Sequence, residues 1–144
     1  MKGQKKPGKI ISRHKALMKE CDALWSECIK ARAGYKSEYC VHSDHQILNA
    51  HHIAGKPNLR LRYELENGVC LTWAEHNYIA HNAGRQEKFR KFIKDLRGEK
   101  IFDRLEKLSW YCCKSDLSAV KVYLTQKLAD LKVSQDFPAW KGVQ

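Results

Sequence analysis

Residues 50–76 read AHHIAGKPNLRLRYELENGVCLTWAEH, and this stretch decides the fold that the sequence predicts. Around its start, residues 47–53 have the length of a strand, although their Ala-His-His centre is a weak strand former. Residues 54–68 show no apolar period and contain two glycines, a proline and two asparagines, which predicts a loop. Residues 69–71 are apolar and form a second short strand. The stretch therefore predicts two strands joined by a long loop.

The second strand leads directly into a predicted helix. Thr72 and Glu75 have the spacing of a capping box, in which two side chains satisfy each other's backbone amides at a helix start. This helix would carry His76 and end near Gly84, because glycine commonly ends helices. The order along the chain is therefore strand, loop, strand and helix.

Helices are also predicted on both sides of this unit. Ser12 is a suitable N-cap for a helix over 12–33 with one apolar stripe, and Gly34 ends it. Three further helices are expected at 86–97, 101–112 and 116–133. Gly98 separates the first two, and Ser115 is the expected N-cap of the last. The predicted fold class is therefore α+β and mostly helical.

The chain has 144 residues, which is the length of one domain. Residues 1–11 combine four lysines with glycine and proline, and they predict a basic flexible tail. The remainder, 12–144, is expected to be a single domain. Its expected parts are an N-terminal helix within 12–36, a core at 37–84 and a helical extension at 85–144.

The net charge of +11 and the isoelectric point near 9.5 suit a polyanionic partner such as nucleic acid. No run of apolar residues approaches the length of a membrane span, and the first residues lack the apolar core of a secretory signal. The expected location is therefore the cytoplasm, without a membrane partner. No oligomeric state follows from the sequence.

The six cysteines, Cys21, Cys28, Cys40, Cys70, Cys112 and Cys113, are expected to be reduced thiols. The chain has enough apolar residues to form a core without disulfides, and no secretory signal directs it to an oxidising compartment. Cys112 and Cys113 are adjacent, which is a poor geometry for pairing with each other. Most of the six are therefore expected to be packing residues.

Four of the seven histidines, together with Asn67, lie within residues 51–81 and are the candidates for chemistry. His51 and His52 are adjacent on the first strand, so they point to opposite faces of it. One can then reach a metal ion while the other reaches a water molecule, which is the division that phosphodiester hydrolysis requires. His76, in the first turns of the helix, can meet the same ion from the other side.

The ordered series of these residues resembles the HNH endonuclease family, in particular its phage and prophage branch. The series consists of His51-His52-Ile53, Arg62, Asn67-Gly68 and His76, within a match that covers residues 39–84 in detail. The helices before and after it fit the layout of the family more loosely. The resemblance implies a ββα-metal core (the His-Me finger) and hydrolysis of DNA to a 5′-phosphate and a 3′-hydroxyl.

The resemblance also implies a role for each matching residue. His51 and His76 take the metal-ligand positions, and His52 takes the position of the general base. Asn67 takes the position that hydrogen-bonds across the loop and holds the base in register. The implied cofactor is a divalent cation, Mg²⁺ or Mn²⁺, and Ni²⁺ or Zn²⁺ could occupy the site in isolation because imidazole prefers them.

His81 departs from the pattern of the family. Some relatives carry a further histidine four residues after the first, whereas His81 follows His76 by five. On a regular α-helix this spacing turns His81 by about 140° from His76. The rotation favours a phosphate-contacting or exposed histidine, and the role of third metal ligand stays open as the alternative.

A structural zinc, which relatives hold with two CxxC pairs around the hairpin, is expected to be absent. The corresponding positions read Cys40-Val-His-Ser43 and Thr72-Trp-Ala-Glu75, so one of the four thiolates remains. Thr72 and Glu75 can satisfy the amides that a zinc knuckle would otherwise organise. A replacement zinc site made of Cys40, His42, His45 and Cys70 is the lesser alternative.

DNA is the expected partner, bound mainly through its phosphates. Contacts are expected from Lys56, Arg60, Arg62 and Arg85, with the basic tail as a further contact. A phage or host recombination or packaging protein is a further partner that the resemblance allows. Two other functions stay open: a catalytically lapsed HNH fold that binds nucleic acid or assists recombination, and a zinc-stabilised module for protein interaction. The presence of base and ligands argues against the first, and the shortage of cysteines argues against the second.

Overall fold

The structure, a computed structural model, describes residues 8–40, 47–55, 59–111 and 113–136, with side chains from residue 13 onward. Within these ranges the chain forms five α-helices and one sheet of two antiparallel strands. In chain order the elements are α1 (Gly8–Arg32), β1 (Leu48–His52), β2 (Gly68–Thr72), α2 (Trp73–Glu75), α3 (Gln86–Arg97), α4 (Glu99–Ser109) and α5 (Leu117–Asp136). The predicted class, α+β and mostly helical, is confirmed. None of the helices in the described ranges has the length and apolar content that a bilayer span requires.

The long helices α1 and α5 pack against each other and bury one part of the core. Cys21, Cys28 and Ile29 of α1 are fully buried and follow a helical spacing, which confirms the predicted apolar stripe. The Cys21 and Cys28 thiols donate to the backbone carbonyls of Leu117 and Leu124 of α5, each over 3.4 Å. The two cysteines are seven residues apart on α1, and the two leucines are seven residues apart on α5. The two helices therefore keep the same register over two turns.

Burial also determines the state of these thiols. It raises the pKa of the Cys28 thiol to about 11, and it raises the pKa of Cys21 in the same direction. A thiol with a raised pKa stays protonated and unreactive at neutral pH. The five cysteines that the structure describes are free, in agreement with the expected reduced state, and Cys112 lies outside the described residues.

The two strands lie where they are predicted, to within one residue at each end. In their register His52 lies opposite Gly68, and α1 packs directly against this glycine. A Cβ atom at position 68 would lie 2.3 Å from Ile29 Cδ1 and 2.8 Å from Trp25 Cζ2. Both distances are shorter than any van der Waals contact. The helix can therefore lie on β2 only because residue 68 has no side chain.

A largely buried carboxylate ties α1 and α3 to β2. Glu38, whose side chain is 13% exposed, forms ion pairs with Arg32 of α1 at 3.5 Å and with Arg97 of α3 at 2.7 Å. It also accepts from the Cys70 amide at 2.8 Å, and both guanidinium groups donate to the Gly68 carbonyl, at 2.8 and 3.0 Å. Charges that leave water require partners of this kind. The network therefore sets where both helices meet the strand.

Helix α1 begins at Gly8, four residues before the predicted start at Ser12. No residue from Lys9 to Ser12 breaks a helix, so the helix can extend through Ser12. Ser12 therefore lies within α1 and is not its N-cap. Part of the predicted flexible tail is thus helical, and residues 1–7 lie outside the described ranges.

A glycine break before α4 and a side-chain cap before α5 mark where these two helices begin. The break at Gly98 is confirmed, and its φ of 85° is in the region that favours glycine. The predicted N-cap of α5 is wrong by one residue: the Asp116 carboxylate, not Ser115, accepts from two amides of the first turn at 3.0 and 3.2 Å. The Ser115 hydroxyl is instead engaged by the Leu59 carbonyl, to which it donates over 2.9 Å.

Replacing Gly68 with alanine is expected to destabilise the fold by about 1–3 kcal/mol, because the new methyl group overpacks against Ile29 and Trp25. Chemical denaturation followed by tryptophan fluorescence measures the change. Gly84→Ala is the matched control, since the nearest atom to a Cβ there is the Asn82 Oδ1 at an ordinary 3.4 Å. Equal stability of the two variants would contradict the close approach of α1 to β2.

Candidate functional site

Three histidines from β1 and from the segment after α2 converge on one point. His51 lies on β1, His76 directly follows α2, and His81 lies five residues further on. One ring nitrogen of each lies within 4.8 Å of the corresponding nitrogens of the other two. The Nε2 atoms of His76 and His81 are 3.2 Å apart. We call these three residues the histidine cluster. In the described part of the chain it is the one group of His, Cys, Asp or Glu side chains with the spacing of a metal site.

A π-helical turn is the reason that His81 belongs to this cluster. Residues His76–Ala80 form a π-helix and not the predicted α-helix. Its hydrogen bonds run from residue i to residue i+5, so residues five apart lie on nearly the same face. The expectation that the spacing turns His81 away from His76 is therefore wrong, because it assumed a regular α-helix. The predicted helix also ends earlier, at Ala80 and not near Gly84.

The surroundings of the cluster favour neutral imidazole rings. Burial, reinforced by the three neighbouring histidines, lowers the pKa of His51 from 6.5 to about 3. Burial, reinforced by His81, also lowers the pKa of His76. A neutral imidazole has the nitrogen lone pair that a metal ion requires, whereas a protonated ring has none. These two rings can therefore act as ligands at neutral pH without first losing a proton.

The cluster fits a metal ion that prefers nitrogen ligands. Two nitrogens bound at about 2.1 Å to one ion lie about 3.4 Å apart at the tetrahedral angle. The Nε2 atoms of His76 and His81 are close to this separation, at 3.2 Å. The group contains no carboxylate. Imidazole suits Zn²⁺, Ni²⁺, Cu²⁺ and iron, whereas Mg²⁺ and Mn²⁺ are bound mainly by oxygen. Three histidines therefore favour a transition-metal ion over the Mg²⁺ or Mn²⁺ that the resemblance implies.

His52 is the last residue of β1, and its ring is held on two sides. The Nε2 atom lies 2.9 Å from the backbone carbonyl oxygen of Arg62. Because a carbonyl oxygen only accepts, Nε2 carries the proton and Nδ1 of the neutral ring carries the lone pair. The ring also lies flat on the indole of Trp25, with 3.8 Å between centroids and 7° between planes. The fold thus sets both the tautomer and the plane of His52.

Asn67 is fully buried and links two parts of the long loop between the strands. Its Nδ2 donates to the carbonyls of Ala54 and Leu61 at 3.1 and 3.0 Å, and its Oδ1 accepts from the Ala54 amide at 2.6 Å. Leu61 directly precedes Arg62, whose carbonyl binds His52. Asn67 therefore stabilises the backbone that orients this histidine.

His52 and the histidine cluster open into one cleft of about 410 Å³. Its lining includes His51, His52, His76 and His81 and, from α1, Asp22, Trp25 and Ser26. The two neighbours keep the alternation of a strand: His52 stacks on Trp25 of α1, whereas His51 meets Phe89 of α3. Both side chains nevertheless line this cleft at the end of β1. A proton acceptor and a candidate metal site therefore face the same space.

Sequence reasoning missed the contribution of α1 to this cleft. It predicted an apolar stripe on this helix and singled out neither Asp22 nor Trp25 for the site. In the structure the two oxygens of Asp22 accept from Nε and Nη2 of Arg62, at 2.8 and 2.7 Å. An acidic residue three positions before a tryptophan is the one local signal, and that pattern is too common on helices to identify a site.

The residues expected to bind phosphate have different surroundings. Arg60 is exposed. Arg85 is partly buried and stacks on Tyr78, with its Cζ 3.7 Å from the ring centroid. The expectation for Arg62 has to be corrected, because its side chain is 11% exposed and its charge is balanced by a carboxylate of α1. Lys56 lies outside the described residues.

Hydrogen bonds join the start of α2 to the segment before β1. The predicted capping box is confirmed: Thr72 Oγ1 accepts from the Glu75 amide at 3.2 Å, and Glu75 Oε2 accepts from the Thr72 amide at 2.8 Å. The Ser37 hydroxyl donates to the same carboxylate oxygen over 2.5 Å. These side chains therefore connect two segments that a zinc knuckle joins in the family that the motif resembles.

The alternative zinc site consisted of Cys40, His42, His45 and Cys70, and its two histidines lie outside the described residues. Cys40 is exposed, whereas Cys70 is fully buried in β2. Burial raises the pKa of the Cys70 thiol to about 11. Since zinc binds the thiolate, this burial works against Cys70 as a ligand.

Comparisons of the chain with protein-family models, with curated protein sequences and with solved structures found no match. A nuclease assignment therefore depends on the residues of the cleft. His52, the histidine cluster and Asn67 are the residues that bear on it.

The metal-free protein is expected to lose stability as the pH falls from about 6.5 towards about 3, the ordinary and the folded pKa of His51. In this window the unfolded chain binds protons that the buried ring excludes, so protonation favours unfolding. Denaturation midpoints measured between about pH 7 and about pH 4 test this. His51→Gln should flatten the dependence, and His14→Gln, at an exposed position of α1, should leave it unchanged. Equal slopes for wild type and His51→Gln would contradict the burial of a neutral ring.

Calorimetric titration with Zn²⁺ or Ni²⁺ is expected to show one site per chain, and His81→Ala should weaken it about 10-fold or more, because one of three ligand nitrogens is lost. His14→Ala is the control, since His14 is exposed on α1 outside the cluster. An unchanged affinity in His81→Ala would show that the π-helical turn does not bring this residue to the metal.

Proposed function

We propose that this protein is a metal-dependent endonuclease of the HNH (ββα-metal) type that hydrolyses phosphodiester bonds in DNA. The observation that carries the proposal is the shared cleft, where His52 with its oriented ring lies beside the histidine cluster. A positioned proton acceptor and a metal site are the two requirements of metal-assisted phosphodiester hydrolysis. The succession β1, β2 and α2 supports a ββα core around them.

In this proposal His51, His76 and His81 hold a divalent ion, with Zn²⁺ or Ni²⁺ better matched to them than Mg²⁺ or Mn²⁺. When bound, the ion neutralises charge on the scissile phosphate and on the departing 3′ oxygen. The three rings come from two segments that the sheet and the π-helical turn hold together, so the ligand set is formed before an ion arrives.

His52 takes the proton of the attacking water at Nδ1. The proton on Nε2 remains hydrogen-bonded to the Arg62 carbonyl throughout. The ring therefore needs no change of tautomer before Nδ1 accepts the proton of the water. The imidazolium that forms carries its positive charge against the face of Trp25, which is a favourable arrangement for a cation. Asn67 keeps the loop backbone in place while the ring changes charge.

DNA is the proposed substrate because the chain is strongly basic, with a net charge of +11. Exposed Arg60 and the Arg85–Tyr78 pair offer contacts for phosphate and for a base or sugar. The proposed products are a 5′-phosphate and a 3′-hydroxyl. A catalytically lapsed fold that only binds nucleic acid would have no use for an oriented base beside three ligands, and no observation favours it.

His52→Ala is expected to lower the cleavage rate by about 10²–10⁴-fold, because it removes the group that accepts the proton. Metal affinity should be retained, since the cluster keeps its three nitrogens. Conversion of supercoiled plasmid to nicked and linear forms, with Zn²⁺, Ni²⁺, Mn²⁺ or Mg²⁺ supplied in turn, measures the rate.

His14→Ala serves as the control, and it should cut at the wild-type rate. EDTA should abolish cleavage, and an excess of divalent ion should restore it. Wild-type cleavage by His52→Ala would rule out this residue as the base. Cleavage that survives exhaustive chelation would rule out the metal-dependent mechanism.

A further inference from the structure

We propose that α1 supplies two positioning residues, Asp22 and Trp25, which hold His52 in the orientation that accepts a proton. This inference rests on the proposed function and extends it to a helix that lies outside the segment carrying the nuclease motif. Neither residue acts on the substrate. Both act through His52, one on its ring and the other on its hydrogen-bond acceptor.

Trp25 acts on the ring directly. The near-parallel stack, with 3.8 Å between centroids and 7° between planes, restricts the imidazole to one plane. The indole is itself fixed, because Trp25 is 2% exposed and its Nε1 donates to the Glu64 carbonyl over 3.0 Å. A fixed flat surface thus prevents the ring from turning away from the cleft.

Asp22 acts through the peptide that His52 binds. Its two carboxylate oxygens accept from Nε and Nη2 of Arg62, at 2.8 and 2.7 Å, in a two-point ion pair. The backbone carbonyl of this same arginine accepts the Nε2 proton of His52 at 2.9 Å. Asp22 therefore fixes the residue whose carbonyl fixes the tautomer of the base.

This carbonyl needs support because residues 59–63 form turns and not a strand or a helix. Three contacts hold consecutive parts of the loop: Asn67 binds the Leu61 carbonyl, Asp22 binds the Arg62 side chain, and Trp25 binds the Glu64 carbonyl. Two of the three come from α1. Without them the loop would keep its contacts with Asn67, with Ser115 at Leu59 and with Arg32 at Leu65, but Arg62 itself would lose its ion pair, and the acceptor of His52 could move.

The two residues lie three positions apart on α1, so they share one face of the helix. The next turn brings Ile29 onto Gly68, where the helix packs against β2. The contact that places α1 on the sheet is thus continuous with the contact that orients the base. A displacement of about 1 Å at a catalytic group can cost about 100-fold in rate. The position of α1 on the sheet is therefore expected to affect the rate of cleavage measurably.

Asp22→Asn tests the contact that acts on His52 through Arg62. The substitution keeps the shape of the side chain and removes the charge that holds Arg62. The expected result is a fall in kcat of about 10- to 100-fold on a short duplex oligonucleotide. KM and the affinity for Zn²⁺ should stay unchanged, and Asp22→Glu should recover part of the rate. A wild-type kcat in folded Asp22→Asn would overturn the role of Asp22.

Glu20→Gln is the matched control for the loss of an ion pair on the same helix. Glu20 lies two residues before Asp22 and pairs with Lys121 of α5 at 2.6 Å, and it is not among the described residues that line the cleft. Its loss should leave kcat unchanged. Trp25→Phe should keep most of the rate because it keeps an aromatic face, whereas Trp25→Leu should lose about 10-fold or more. Equal rates for these two variants would overturn the role of the stack.

Long-range ¹H–¹⁵N NMR of His52 provides a readout that needs no cleavage. Wild type should show the Nε2–H tautomer, and Asp22→Asn should show a mixture of tautomers. If wild type does not cut DNA but the tautomer changes in Asp22→Asn, the proposed function is wrong and the positioning role stands. An unchanged Nε2–H tautomer in Asp22→Asn would overturn the positioning role whether or not the protein cleaves DNA.

Discussion

The indole of Trp25 lies in the space that a side chain at position 68 would fill, and the rest of the structure depends on this close contact between α1 and β2. The same indole stacks on His52 and binds the Glu64 carbonyl. One side chain thus joins the packing of the helix, the conformation of the loop and the orientation of the candidate base. Because protein interiors are densely packed, a shift of α1 relative to β2 would move Trp25 and, with it, the ring of His52.

Around this contact, ion pairs and hydrogen bonds hold the hairpin in place. Glu38 joins α1 and α3 to β2 through two arginines, and Glu75 joins the start of α2 to Ser37. The network is incompletely paired, because the Nε atoms of Arg32 and Arg97 are buried without a hydrogen-bond partner, which costs stability. The buried thiol of Cys70 is surrounded by this network, and burial keeps it protonated by raising its pKa. The hairpin is therefore held by side-chain chemistry that does not use thiolates.

The candidate metal site depends on an irregular piece of backbone. The π-helical turn His76–Ala80 brings two histidines five residues apart into contact, and β1 supplies the third. Turns of this kind are rare, and they occur frequently at functional sites. Burial of His51 costs stability below about pH 6.5, because its lowered pKa keeps the folded ring from binding a proton. Both features prepare neutral nitrogen ligands at one point.

The sequence by itself determined the features that depend on local pattern: the α+β class, the two strands, the capping box and the position of His51 and His52 on the first strand. These depend on side-chain spacing and turn chemistry, which neighbouring residues set. The tertiary structure alone decided that His81 meets His76, because the helix departs from regular geometry there. It also decided that Arg62 is paired inside the protein, and that Asp22 and Trp25 reach His52. Those contacts join residues far apart in the chain, and they exist only because α1 packs against β2 and the loop before it.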